Sequence, residues 1–298
     1  MLHWIEAIIA PGVRMSSPLI LASMGCLFNR RAGNYNIALE SYMLFASFFG
    51  VWIGSLTGSI WVALLAAIAA STLSALLMAL LVLRGGADEI VVGLAMNLGA
   101  GFLTSYLLES ITSGGGFMAT RTHVPIVVIP FVDSIPIVGQ AVSRQDIFVY
   151  VSWLSVFLVS FLVKNTQLGL QIRAAGDDPD SAAAAGVNVE GMRYICFGLS
   201  GLLGGLAGFQ LAVSFLQLFS NNMVAGRGII SFAAVIFGRG IPLYTTIAAL
   251  IFGFAQAIAN QLSTVNLPPQ FILMIPYLFT IASLFFAAVR KQGRRGVS

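Results

Sequence analysis

Of the 298 residues, 58% are hydrophobic and only 9% are charged, where a soluble domain carries about 25% charged residues. This balance excludes a soluble globular fold and places the chain among membrane proteins. Its net charge of +4 calls for no nucleic-acid partner, because in a membrane protein the placement of the cations matters more than their sum. The two cysteines, Cys26 and Cys196, fall in separate apolar runs, so neither a disulfide framework nor a metal site is signalled.

A bilayer-spanning helix needs roughly 20 apolar residues. The opening "MLHWIEAIIAPGV" is too short to span; a place in the interface is one reading of it, and it is left unassigned. Apolar runs follow at about 16–29, 36–55, 60–83, 90–108, 147–163, 194–218, 227–238, 243–262 and 270–289. Of these, 16–29 and 227–238 are short for a full crossing. The expectation is an all-α polytopic membrane protein with about 8 to 10 transmembrane or half-spanning helices.

Three polar interruptions stand out. The first, "RRAGNYNIALESYM" (30–43), introduces two asparagines and a glutamate where a span should begin. In the second, 109–146, Pro125, Pro130 and Pro136 interrupt an apolar run and break backbone hydrogen bonds that lipid cannot replace. This predicts an ordered external loop, with a protein-buried re-entrant segment as the alternative.

The third, "GLQIRAAGDDPDSAAAAGVNVEGMRY" (169–194), is a polar island in an otherwise apolar chain. Asp178 suits a helix N-cap, Pro179 the first helical position and Gly186 the position past the end. The result is a helix of about two turns, on the order of 10 Å, which is not stable alone in water. It is either a docking piece for a soluble partner or a surface linker with a chance helix.

If "RKQGRR" (290–295) is cytoplasmic and the spans alternate, then Arg239, Arg193, Arg173, Lys164, Arg84, Arg31 and Arg30 share its side. Arg14, Arg121, Arg144 and Arg227 are left outside. That asymmetry fits the positive-inside rule.

Six pieces carry a resemblance: "RAGNYNIALESYMLFASFFG" (31–50), "ADEIVVGLAMNL" (87–98), "SIPIVG" (134–139), "QLGLQIRAAGDDPDSAAAAGVNVEGMRY" (167–194), "AGRGIISFAAVIFGRGIPL" (225–243) and "MIPYLFTI" (274–281). In this order, over nearly the whole chain, they resemble permease subunits of bacterial ABC importers. The branch is that of ribose and branched-chain amino acid permeases, and the likeness is greatest to nucleoside-type permeases that work with basic-membrane-protein lipoproteins. Two departures are Arg30, where the family usually has an acid, and Ser41, where it usually has glycine.

The resemblance implies a single transmembrane permease domain over 1–298 with a type II ABC importer-like fold. It implies an external loop at 110–146 and a cytoplasmic coupling loop at 164–193, with Arg173, Gly176, Asp177, Asp178, Pro179, Ala183 and Gly186 in the coupling element. The implied partners are a cytoplasmic ABC ATPase that binds ATP and Mg, a second permease subunit (a paralogue or a second copy) and an external substrate-binding protein. The implied location is the bacterial cytoplasmic (inner) membrane, crossed many times, with the C-terminus in the cytoplasm. No cofactor, metal or catalytic residue is expected in this chain, which has no Gly-x-x-x-x-Gly-Lys-Ser/Thr phosphate loop.

For the substrate pathway the candidates are Asn36, Glu40, Asn97 and Phe209. Asn36 and Glu40, four apart, would share a helix face. Either Glu40 lines the path, or it pairs with backbone or a nearby arginine; the second is favoured, since a fixed negative charge does not help a neutral nucleoside. Asn97 offers an amide to a solute or an interhelical hydrogen bond. Phe209, Phe215 and Phe219 are stacking candidates or simply packed, while Asn221 and Asn222 are expected to cap a helix near the outer end. Gly201/Gly205 and Gly204/Gly208 form overlapping small-xxx-small patterns. "AGNYNI" and "AGRGII", placed on opposite sides, form the echo that an inverted repeat would produce. Rival classes are sugar or branched-chain amino acid permeases and an ion-coupled secondary transporter using Glu40. An intramembrane enzyme has little support, with only His3 and His123 and no metal-binding pair.

Overall fold

The computed structural model describes residues 2–128 and 143–262. The run at 270–289, the motifs at 134–139 and 274–281, Pro130, Pro136 and the cations of 290–295 lie outside the described residues. Among the described residues seven helices are long and apolar enough to cross a membrane. With one shorter apolar helix at Arg227–Phe237 they bear out the all-α polytopic fold.

The N-terminal expectation needs correcting. A single helix, α1 (Leu2–Arg31), takes in both the unassigned opening and the short run at 16–29, and its crossing begins at Ile8. Pro11 and Pro18 both lie inside it. Pro18 has no N–H for the Arg14 carbonyl, and the adjacent Ser17 hydroxyl donates to that carbonyl at 2.9 Å instead. Such local repair is how a membrane helix tolerates proline.

The chain then turns at Gly33 (φ +86°) and runs without helix to α2 (Leu39–Thr57). α3 (Ile60–Ala79) continues as a π-helical turn over Leu80–Arg84, and Asp88 caps α4 (Glu89–Thr112) by accepting from the Ile90 and Val91 N–H groups. Short strands follow: β1 (Phe117–Ala119), β2 (Ile126–Val127) and β3 (Gln145–Asp146). α5 (Ile147–Asn165), α6 (Gln167–Asp177) and α7 (Pro179–Ala184) lead to α8 (Val189–Phe209), prolonged as a π-helix through Leu216. β4 (Leu218–Ser220), α9 (Arg227–Phe237) and α10 (Pro242–Leu262) complete the described chain. β1 pairs antiparallel with β4, and β2 with β3. The described part of the 110–146 loop is therefore held in two small ladders, one of them fastened to the end of α8.

α8 is the centre of the bundle, and its glycines explain how. Gly201 and Gly205 meet α3: a Cβ on Gly201 would lie 2.7 Å from Thr72 Cα, and one on Gly205 3.0 Å from Ile68 Cα. Gly208 meets α2, where a Cβ would lie 2.3 Å from the Met43 carbonyl. Each pair spaced by four serves one neighbour, which is what small-xxx-small packing requires. Ser71 and Ser47 hydroxyls donate across these contacts to the Gly201 and Gly208 carbonyls, at 2.6 and 2.9 Å.

Apart from Arg227, the cations of the described residues gather toward the ends of the bundle. At the basic end Arg31 Nε donates to Gly240 O (2.6 Å), Arg193 Nε to Ala32 O (3.4 Å), and Arg84 pairs with Glu190 at 3.3 Å. Arg14, at the opposite end, donates to Gln145.

Candidate functional site

α2, α4, α9 and the turn at 221–226 border a cavity of about 420 Å³, lined by Glu40, Asn97, Ser105 and Asn222 among Leu98, Phe102 and Ile229. That volume falls in the range that takes a small organic ligand. Asn97 is the ninth residue of α4, on the order of 12 Å from its start at the basic end. α9 has 11 residues and carries the chain about 16 Å back to that end. Against a hydrocarbon core of about 30 Å, the groove sits near the middle of the bilayer.

Two helices begin here. The starts of α2 and α9 approach so closely that a Cβ on Gly228 would lie 2.3 Å from the Glu40 backbone nitrogen. Both N-terminal ends carry partial positive charge, and the Glu40 carboxylate answers it: Oε1 accepts from Gly226 N–H and Oε2 from Gly228 N–H, each at 2.7 Å. Arg227 stands close enough to act on the same carboxylate electrostatically, while its Nη1 donates to the Met223 and Val224 carbonyls. Glu40 therefore pairs with backbone and also borders the groove, so the two readings of this residue are not exclusive. Arg227 belongs in the bundle interior at this junction, not at the outer end, because α9 is a half-length helix starting at mid-depth.

The other pathway candidates divide. Asn97 Nδ2 donates to Ile37 O and its Oδ1 accepts from Ser41 N–H, both at 2.9 Å; it makes the interhelical contact and still lines the groove. Asn36 does not share a helix face with Glu40, because residues 34–37 are not helical. It is fully buried away from the groove, bonded to Asn29 (3.3 Å) and Ser200 (2.9 Å). Phe209 is likewise corrected: it is fully buried against Phe148, with ring centroids 5.3 Å apart, and offers no face to a solute. Asn222, expected to cap a helix, instead lines the groove from a turn with φ +52°.

Ser105 and Phe102 are the residues that sequence reasoning missed. Asn97, Gly101 and Ser105 recur every four residues, a polar and small stripe on α4, and Phe102 lies beside it, 74% exposed. That spacing was the available signal.

At the basic end, α7 forms as its residues dictate. Asp178 caps it by accepting from Ser181 N–H at 3.2 Å, Pro179 opens it, and Gly186 follows its end at φ +86°. The Ser181 hydroxyl, then the Ser181 N–H, hold the Asp178 carboxyl below the usual Asp range, so the cap is charged at neutral pH. Asp177, Asp178, Pro179, Ala183 and Gly186 are all exposed, and Ala182 is the buried residue of α7. Arg173 Nε donates to Gly169 O within α6. Gly176 packs against the chain leaving α1: a Cβ there would lie 2.1 Å from the Arg31 carbonyl.

A family described as the permease component of branched-chain amino acid transport systems matches residues 8–284. The guanosine ABC transporter permease protein NupQ of Bacillus subtilis (strain 168) is 34% identical over 296 residues, covering 94% of this chain and 92% of that protein. The nucleoside ABC transporter permease protein NupC of Lactococcus lactis subsp. cremoris is 30% identical, with 94% and 92% covered. The putative glucose ABC transporter permease protein TsgC13 of Haloferax volcanii is 29% identical, with 95% and 92% covered. Matched along nearly its whole length and folded into a polytopic helical bundle, the chain belongs to this family of ABC transport permeases.

Proposed function

We propose that the chain is the transmembrane subunit of an ATP-driven importer for nucleosides or related ribose-containing solutes, which pass along the groove at Glu40, Asn97, Ser105 and Asn222. One observation carries the reading: a largely apolar groove, about midway along the bundle, whose only carboxylate is engaged by two backbone N–H groups. The rest of the polar lining is neutral: the Asn222 amide, the Asn97 amide already bonded to Ile37 and Ser41, the Ser105 hydroxyl and, beside them, the exposed ring of Phe102. These suit a neutral polyhydroxylated solute with a flat base. Meeting of interrupted segments at the bilayer middle is a recurrent site for transported solutes.

ATP and Mg would be bound by a separate cytoplasmic ATPase, with 177–186 as the coupling element and no cofactor in this chain. The basic end and the C-terminus would then face the cytoplasm across the bacterial inner membrane. A second permease subunit, a paralogue or a second copy, would close the groove beyond α4, whose crossing is only 17% buried. An external binding protein would meet the loop at 110–146. The glucose relative supports a sugar as the second reading.

The test is purification with co-expressed neighbouring subunits and ATPase measurement in liposomes. Stimulation by nucleosides over sugars and branched-chain amino acids is expected. Absence of any associated ATPase, or uptake that persists without one and collapses with an ionophore, would sink the reading in favour of ion coupling through Glu40.

A further inference from the structure

Between the coupling element and the groove lies the strap 31–38, which leaves α1 and enters α2. Its contacts are unusually complete for a segment without helix. At one end Gly176 of α6 lies on it, leaving no room for a Cβ against Arg31 O (2.1 Å) and Gly33 N (2.9 Å). Arg193 of α8 holds the Ala32 carbonyl, and Arg31 holds the turn at Gly240 that joins α9 to α10. At the other end Asn97 holds Ile37 and Ser41, and Glu40 holds the start of α9.

In the middle, Glu89 fastens the strap to the first turn of α4. One carboxylate oxygen accepts from Asn34 Nδ2 and the other from the Tyr35 N–H. Two donors on one carboxylate make a two-point, charge-assisted attachment, stronger and more directional than a single neutral bond. Further along, α4 carries Asn97, Phe102 and Ser105, so the strap and the start of α2 that follows it are fastened to both α4 and α9, two walls of the groove.

We propose that the strap 31–38 is the relay by which displacement of the coupling element reaches the groove, and that Glu89 is the positioning residue that makes α4 follow it. The inference rests on the coupling role proposed for 177–186. No residue of the strap lines the groove, so its part is mechanical: Gly176 is the input, and Glu89 and Glu40 are the two outputs.

A continuous chain of contacts becomes evidence of coupling only when both ends are shown to respond together. The test uses the assembled transporter, with its ATPase and partner permease, in liposomes. Fluorescent probes are placed singly at Ala183→Cys, on α7, and at Asn222→Cys, on the groove, with ATP added or withheld. In the otherwise unaltered chain both probes respond to ATP; a silent Ala183 probe would overturn the coupling reading itself, and the relay with it.

Glu89→Gln keeps the shape but leaves one oxygen acceptor for two donors. The Ala183 probe is expected to respond as before, while the response at Asn222 and the solute moved per ATP fall by about tenfold, the order expected for a charge-assisted bond. Gly176→Ala, which displaces the strap at its input, should give the same division by a different route. ATP-dependent responses at Asn222 that are unchanged in both variants would overturn the relay while leaving the coupling role standing.

Discussion

α7 and the junction at Glu40 are both polar interruptions of an apolar chain, but they are held together in opposite ways. α7 is satisfied locally: its cap, its opening proline and its closing glycine lie within nine residues of one another. The groove is satisfied at long range, with Glu40 bonding to N–H groups 186 and 188 residues away. A local device can be moved or altered without unfolding the bundle, which suits a surface that a partner pushes. A long-range one breaks the bundle when it breaks, which suits a wall that must keep its shape while a solute passes.

Substitutions should separate the two regions. The largest effect is expected for Glu40→Ala, which strands two N–H donors at about 1–3 kcal/mol each; thermal unfolding in detergent should show a deep loss, and Glu40→Gln roughly half of it. Unchanged melting for Glu40→Ala would remove the structural role given to this carboxylate. Next comes a pair of glycines. Gly228→Ala drives a Cβ to 2.3 Å from the Glu40 backbone and should cost about 1–3 kcal/mol by overpacking. Gly186→Ala meets nothing within 4 Å and should cost only about 1 kcal/mol, for its left-handed backbone. Equal melting curves for the two would erase the contrast between the regions.

Smaller effects distinguish transport from stability. Asn222→Ala should weaken the apparent affinity for solute by about two- to tenfold, the loss of one hydrogen bond, with melting and ATP hydrolysis unaltered. The smallest effect is on pH. Because the Asp178 carboxyl is held below its unfolded value, its contribution to α7 is complete above the ordinary Asp value of about 3.9 and is lost only as pH falls through the lower folded value. Coupling between pH 6 and 8 should therefore be flat with respect to this cap, which Asp178→Asn tests directly; a slope in the parent chain that vanishes in Asp178→Asn would contradict it.

The same local and long-range divide governed what could be read from the sequence. α7 was legible to the residue because capping depends on neighbours in the chain. The glycine pairs on α8 were legible because helical periodicity alone aligns them. The reach of Glu40 to Gly226 and Gly228 was not, since nothing within a few residues of position 40 announces α9. Asn36 was misplaced because four-residue spacing implies a shared face only where a helix exists, and the strap is not one. α1 runs on through Pro11 and Pro18, where the hydroxyl of Ser17 restores the bond that Pro18 removes, and a count of consecutive apolar residues does not show that continuity. Phe209 was chosen for its chemistry, yet burial against Phe148 leaves Phe102 as the ring at the groove.

Energy is proposed to enter at 177–186 and to act on a solute held at the groove. The most direct measurement is nucleoside transported per ATP hydrolysed in liposomes, across solute concentration, for the parent chain, Gly186→Trp and Asn222→Ala. Gly186→Trp is expected to lower the ratio at every concentration without shifting the half-saturation point. Asn222→Ala should shift that point and recover the parental ratio at saturation. Identical defects in the two variants, or normal coupling in Gly186→Trp, would contradict it.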